Sequence, residues 1–165
     1  LKGKKANCHL NGLYVGNNTQ HIDHHTTVNH IVGDTHSTEF YRGILGDGSR
    51  GVFNGRVVVD KKAQKITASQ VNNNLLLSSK AEIDTKPELE IYADDVACSH
   101  GATIGHLDDE QMFYLRARGI RSEIAKAMLI SAFAQEVVAR IPNRKIQEMT
   151  TNLLKDYDLS QEVGK

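Results

Sequence analysis

Between Leu10 and about Ile104 the chain carries neither helix-length apolar runs nor a clean set of hairpin turns. Val, Ile, Leu, Thr and Asn recur instead in short runs, each closed by Gly, Asn or Asp. The pattern predicts a mainly β region with strands centred near Thr26 to Asn29, Glu39 to Tyr41, Val57 to Val59, Leu75 to Leu77, Leu89 to Tyr92 and Ala102 to Ile104. Two architectures accommodate strands spaced in this way: an antiparallel sandwich, or a solenoid whose turns stack into parallel sheets. The triplet Asn72-Asn73-Asn74 ahead of Leu75-Leu76-Leu77 favours the solenoid, because side-chain amides can form ladders between stacked turns. No exact repeat period is legible.

The texture changes at Asp108. Asp108 followed by Gln111 forms a capping-box-like start for a helix over roughly Asp109 to Arg118, and Gly119 suits its end. Ser122 is placed to cap a second helix ending near Ile141, before Pro142. Ala127, Ile130, Ala134, Val137, Val138 and Ile141 line one side of it, and Met128, Leu129 and Phe133 widen the stripe. Asn143 caps a third, with Ile146, Met149, Thr150, Leu153, Leu154 and Tyr157 on one face. These faces are expected to pack on one another and on the sheet, or to leave a groove for a partner protein. Residues 1–106 and 107–165 are therefore read as a β unit and a helical unit.

Twenty basic residues balance twenty acidic ones, so no broad electrostatic footprint for nucleic acid or an anionic membrane exists. Two cysteines do not make a disulfide framework, and a reducing, cytoplasmic setting is expected. The start, LKGKKANC, has neither an initiator Met nor the apolar core of a signal peptide, which reads as a cut inside a longer protein.

Several constellations carry candidate chemistry. In QHIDHHTTVNHIVGDTH, His21, Asp23, His24, His25, His30 and His36 cluster within sixteen positions, the ligand type of a zinc, iron or copper module. On a strand, His21, Asp23 and His25 share one face while Ile22, His24 and His30 share the other. Same-face neighbours lie nearly seven ångströms apart, roughly twice the strand rise, so adjacent strands would have to complete any site. LGDGSRG, Leu45 to Gly51, lacks the Gly-Lys-Ser/Thr ending of a phosphate-binding P-loop and reads as a tight turn. Ser99 beside His100 lacks a nucleophile-elbow pattern. Asp94 and Asp95 could serve a polysaccharide-cleaving β-helix enzyme, but the chain has no Trp to stack on sugars. In ADDVACSHGATIG, Cys98 and His100 at i and i+2 face the same way in an extended segment, where thiolate and imidazole could address one metal. Two ligands do not close such a site; either others arrive from the helical tail or a second subunit, or both are packed structural residues.

The run LEIYADDVACSHGATIGHLDDEQMFYLRARGI, Leu89 to Ile120, resembles the SufB/SufD family of iron-sulfur cluster assembly proteins, its SufD branch most closely. HIDHHTTVNH and STEFYRGILGDGSRGVFNGRVVVD extend the resemblance over nearly the whole chain. It implies a right-handed parallel β-helix followed by a small C-terminal helical domain, with an N-terminal region absent. It further implies a scaffold subunit rather than an enzyme, paired with a SufB-like paralogue and docked to a SufC-like ABC-type ATPase. The fragment alone could also form a homodimer. The site would lie in the cytoplasm, or in a plastid for a photosynthetic eukaryote. His100 would take part in building a transient iron-sulfur cluster shared with the partner subunit, with Cys98 a weaker contributor. Phe113, Tyr114 and Arg118 are candidate contacts to the ATPase.

Overall fold

In the computed structural model, which describes residues 1–156, seven strands precede three helices. The strands are β1 (Asn7–Gly16), β2 (His21–His30), β3 (His36–Leu45), β4 (Arg50–Val59), β5 (Ile66–Leu76), β6 (Glu82–Ile91) and β7 (Val96–Gly105). Odd strands form one sheet in the order β1-β3-β5-β7, and even strands a second, β2-β4-β6. Every pairing is parallel. Each strand therefore bonds to the strand two places on, which is the connectivity of a two-sheet β-solenoid, and the antiparallel sandwich is excluded. Asn7 pairs with His36 and His36 with Thr67, so one coil takes about 30 residues.

The strands are about three times longer than the apolar runs that announced them, and β1 has no counterpart among the expected strand centres. Polar residues fill out each strand because coil-to-coil backbone bonds hold it extended, whatever its side chains prefer. The corners explain the turn residues. Lys5, Asp34 and Lys65 stand just before β1, β3 and β5 with left-handed φ of 61°, 57° and 60°, and Asn18 and Asp47 do so before β2 and β4. These corners stack: Lys5 N–H donates to Asp34 O (2.7 Å) and Gly48 N–H to Asn18 O (2.9 Å). LGDGSRG is a turn, as expected, and the Ser49 hydroxyl lies between the Gly46 and Gly16 carbonyls at 2.7 and 3.0 Å.

The lumen has an aliphatic part and a polar aromatic part. Val28, Val57, Val59, Ala63, Ile66, Ala68 and Ala93 form the first. In the second, the rings of Tyr14, His24, Tyr41 and Phe53 follow one another at 5.0, 6.1 and 4.9 Å between centroids. The asparagine triplet marks the solenoid for a different reason from a stacked amide ladder. Its register partners are Tyr41, Arg42 and Gly43, then Ala102, Thr103 and Ile104, so no amide meets an amide in the next coil. Asn74 Oδ1 accepts from Tyr14 Oη (2.5 Å), Asn72 Oδ1 accepts from Thr85 Oγ1 (2.8 Å), and Asn73 faces outward to Thr103.

Three helices follow: α1 (Asp109–Ala117), α2 (Ser122–Val138) and α3 (Arg144–Asp156). Asp108 caps α1 through Glu110 N–H and Gln111 N–H, and Gly119 closes it at φ 84°. Ser122 is not the cap of α2: it already lies in the first turn, and Arg121 holds the cap position without a side-chain bond. The helix stops at Val138, and Arg140 and Ile141 continue as a tighter turn, donating to Val137 O and Val138 O before Pro142. Ile130 and Ala134 of α2 pack on Ile44 and Leu75, the outward side chains at the ends of β3 and β5. Arg42 fastens this contact: it donates to Phe133 O (2.9 Å), pairs with Glu136 and lies 4.2 Å over the Phe133 ring. Asn143 caps α3 as expected. The apolar face of α3 packs only in part: Leu154 reaches the cluster under α2, whereas Ile146, Met149 and Leu153 are exposed. Tyr157 lies outside the described residues. Among the described residues no helix is long and apolar enough to cross a membrane.

Two outcomes are expected. Gly43 sits in register with Tyr14 and Asn74, and a Cβ there would lie 2.4 Å from Tyr14 Cε2 and 2.5 Å from Asn74 Oδ1. Gly43→Ala is therefore expected to destabilise by about 1–3 kcal/mol, read as a lower urea midpoint. His30 is fully buried between Thr35 Oγ1 (2.7 Å) and Ser37 Oγ (2.9 Å), and burial, then the nearby Leu1 ammonium and His36, hold its pKa below the ordinary value. The unfolded chain thus binds the extra proton more readily, and stability falls as pH drops through the ordinary histidine range near 6.5. Urea unfolding between pH 8 and 5 should show that loss in the wild type and a shallower one in His30→Asn.

Candidate functional site

His100 and Cys98 both lie on β7, the edge of the four-stranded sheet. Their i, i+2 spacing puts them on one face, as the sequence requires, and the register shows which face. Cys98 pairs with buried Ala68 and His100 with buried Gln70, so both side chains stand on the lumen side of their strand. They differ in surroundings. Cys98 packs against the aliphatic cluster of Val28, Val57 and Ala68, and burial pushes its thiol pKa up, with only a partial offset from a backbone hydrogen bond to Ala68. A raised thiol pKa lowers the thiolate fraction, which suits a packed residue better than a metal ligand. His100 lies two residues further toward the polar part of the lumen and is exposed.

Beneath His100 the lumen carries a polar pair that the sequence reading passed over. Glu39 is 1% exposed and Gln70 is fully buried, and Gln70 Nε2 donates to Glu39 Oε2 at 2.6 Å. Gly55 lies across the lumen, where a Cβ would come within 2.1 Å of Gln70 Nε2. Glu39, Gln70 and His100 occupy one register column, on β3, β5 and β7. The sequence did hold a signal, since all three share strand parity at a separation of one coil. Without the repeat period it could not be used.

The histidine cluster of β2 is dispersed by strand alternation. His21, Asp23 and His25 are exposed on the outer face, where His25 Nε2 and Asp23 Oδ1 pair at 2.9 Å. His24 turns inward between the Tyr14 and Tyr41 rings, His30 is held by the hydroxyls of Thr35 and Ser37, and His36 is exposed at the start of β3. Among the described residues no group of three or more His, Cys, Asp or Glu side chains is placed to hold a metal ion. The metal-module expectation is corrected accordingly: alternation and coil packing send these imidazoles to separate environments.

Asp94 and Asp95 are exposed at the corner between β6 and β7. Their backbone closes that corner, with Lys65 N–H donating to Asp95 O (2.7 Å) and Asp95 N–H to Gln64 Oε1 (2.8 Å). Neighbouring residues on one corner do not flank a sugar ring from two sides, as glycosidase carboxylates do. On α1, Phe113 and Tyr114 are 73% and 55% exposed, and the Arg118 guanidinium lies 3.5 Å over the Tyr114 ring. Exposed Ile124 and Met128 of α2 add to the apolar surface of the helical region.

Comparison with known proteins gives a consistent result. Residues 1–133 match the family model described as "SUF system FeS cluster assembly, SufBD core domain". The chain is 42% identical to the iron-sulfur cluster assembly protein SufD of Escherichia coli (strain K12), covering 99% of this chain and 36% of that protein. It is 38% identical to the chloroplastic protein ABCI7 of Arabidopsis thaliana, covering 92% of this chain and 34% of that protein. It is 30% identical to SufD of Bacillus subtilis (strain 168), covering 86% of this chain and 32% of that protein. The chain thus spans about a third of the length of these curated relatives.

Proposed function

The chain belongs to the SufB/SufD family of iron-sulfur cluster assembly proteins, and we propose that it acts there as a non-catalytic scaffold whose His100 serves a cluster site shared with a SufB-like partner subunit. The observation that carries this reading is the position of His100, exposed on the lumen side of an edge strand. An edge strand offers unpaired backbone groups for a second chain, and a ligand beside that edge is accessible to residues the second chain brings. One imidazole cannot hold a cluster, so the site is complete only while the partner is in place. Such a site is emptied by a small movement between subunits, which suits an assembly factor whose cluster is cargo to be passed on.

The helical region takes the second role in this reading, the docking of a SufC-like ABC-type ATPase. Phe113, Tyr114 and Arg118 of α1 give an exposed aromatic and cationic surface of the composition found at protein interfaces. Bacterial relatives and a chloroplastic one support a cytoplasmic setting, or a plastid one in a photosynthetic eukaryote.

Co-expression of the full-length protein with SufB-like and SufC-like partners, purified anaerobically, tests both roles. His100→Ala is expected to deplete bound iron and sulfide on the order of 10-fold with the complex intact. Phe113→Ala/Tyr114→Ala is expected to release the ATPase and leave the paralogue pair together. Unchanged cluster content in His100→Ala would move the chemistry to the partner; retention of the ATPase by the double variant would place docking elsewhere.

A further inference from the structure

The Glu39, Gln70 and His100 column contains an unanswered hydrogen bond. Gln70 Nε2 donates to Glu39 Oε2, while Gln70 Oε1 is buried and has no partner. The polarity of this amide is fixed chemically. A carboxylate is a strong acceptor, and the second Glu39 oxygen is itself buried and unpartnered, so it is the amide N–H that faces Glu39. The nitrogen is turned toward Glu39 on β3, and β7 lies on the opposite side of β5. Strands in such a sheet are about 4.8 Å apart, and the residue in register with Gln70 on β7 is His100. Leaving a buried acceptor unmet forfeits the hydrogen bond it made to water in the unfolded chain. An imidazole carries at least one N–H in every protonation state.

We propose that Gln70, oriented by Glu39, is a positioning residue for His100: its carbonyl, which makes no hydrogen bond in the isolated chain, accepts one ring N–H in the assembled complex and fixes the tautomer and the plane of the imidazole. The other ring nitrogen then faces the open side of the strand with its lone pair free for the shared site. A second hydrogen bond of this kind sets ring orientation and ligand strength wherever a histidine binds metal. Gly55 is part of the device, because any side chain there would displace the Gln70 amide. The inference rests on the reading that His100 serves the assembly site, and it adds the two buried residues that aim it.

The test uses the full-length protein in its anaerobically purified complex, with two readouts. Iron and sulfide content reports assembly; 15N-histidine solid-state NMR reports the His100 tautomer, its signal assigned by subtraction of the His100→Ala spectrum. Gln70→Met, of similar length but without the carbonyl, is expected to turn a single His100 tautomer into a mixture and lower cluster content on the order of 10-fold. The exchange variant Glu39→Gln/Gln70→Glu reverses the donor and acceptor between the two positions but keeps an acceptor oxygen toward β7, and is expected to restore both readouts. A single unchanged tautomer in Gln70→Met overturns the proposal whatever the cluster content. A mixed tautomer with cluster lost in His100→Ala but retained in Gln70→Met overturns the positioning role. A mixed tautomer with cluster retained in both overturns the function assigned to His100 and leaves the hydrogen bond standing. If Gln70→Met does not fold, the exchange variant decides: a mixed tautomer in a folded exchange protein also overturns the proposal.

Discussion

Parallel pairing of one coil on the next is the constraint on which the rest of this structure depends. Because each strand bonds to the strand two places on, every side chain stacks on the one about 30 residues earlier and under the one about 30 later. Register is thereby a statement about chemistry. It sets Tyr14 over Gly43, whose missing side chain admits the ring, and sets Gln70 between Glu39 and His100. A slip of one residue would reverse the facing of every side chain in a strand, so the buried polar groups and close-fitted glycines also guard the register.

The same stacking produces the asymmetry on which the proposed function turns. Interior coils satisfy their backbone groups on both sides, whereas β7 and β6 end their sheets. At β7 the lumen-facing residues change from packed to accessible within two positions, from Cys98 against the aliphatic cluster to exposed His100. A scaffold that shares its chemistry across an interface needs such a boundary, since a ligand buried like His30 would be inaccessible to a partner. The helices sit beside this arrangement without covering it: α2 is fastened to the outer ends of β3 and β5 through Ile44, Leu75 and Arg42, which leaves the faces of α1 and α3 outward.

Legibility of the site followed the range of the interactions involved. Cys98 and His100 share a face because alternation along a strand is local, and this was evident from spacing alone. The histidine cluster looked like a ligand set because density along a sequence ignores facing. Its members separate into a surface pair, an aromatic stack and a buried hydroxyl clamp. The asparagine triplet indicated a solenoid, yet its partners are Tyr14, Thr85 and Thr103, residues chosen by register and by the facing sheet. Ser122 failed as a cap for a more modest reason: the helix begins one residue earlier than the cap rule placed it.

What the amino-acid sequence determined by itself was everything of short range: a β region giving way to helices at Asp108, the caps at Asp108 and Asn143, the turn at LGDGSRG, and a long motif around CSHGAT specific enough to carry the family. The tertiary structure alone decided the stacking. Corner lengths vary from coil to coil, so the repeat is inexact, with Asn7 reaching His36 and His36 reaching Thr67. An inexact repeat hides its columns from any reading along the chain. Only closure of the coils, through left-handed corners and backbone bonds between residues far apart in sequence, brings Glu39, Gln70 and His100 into one line.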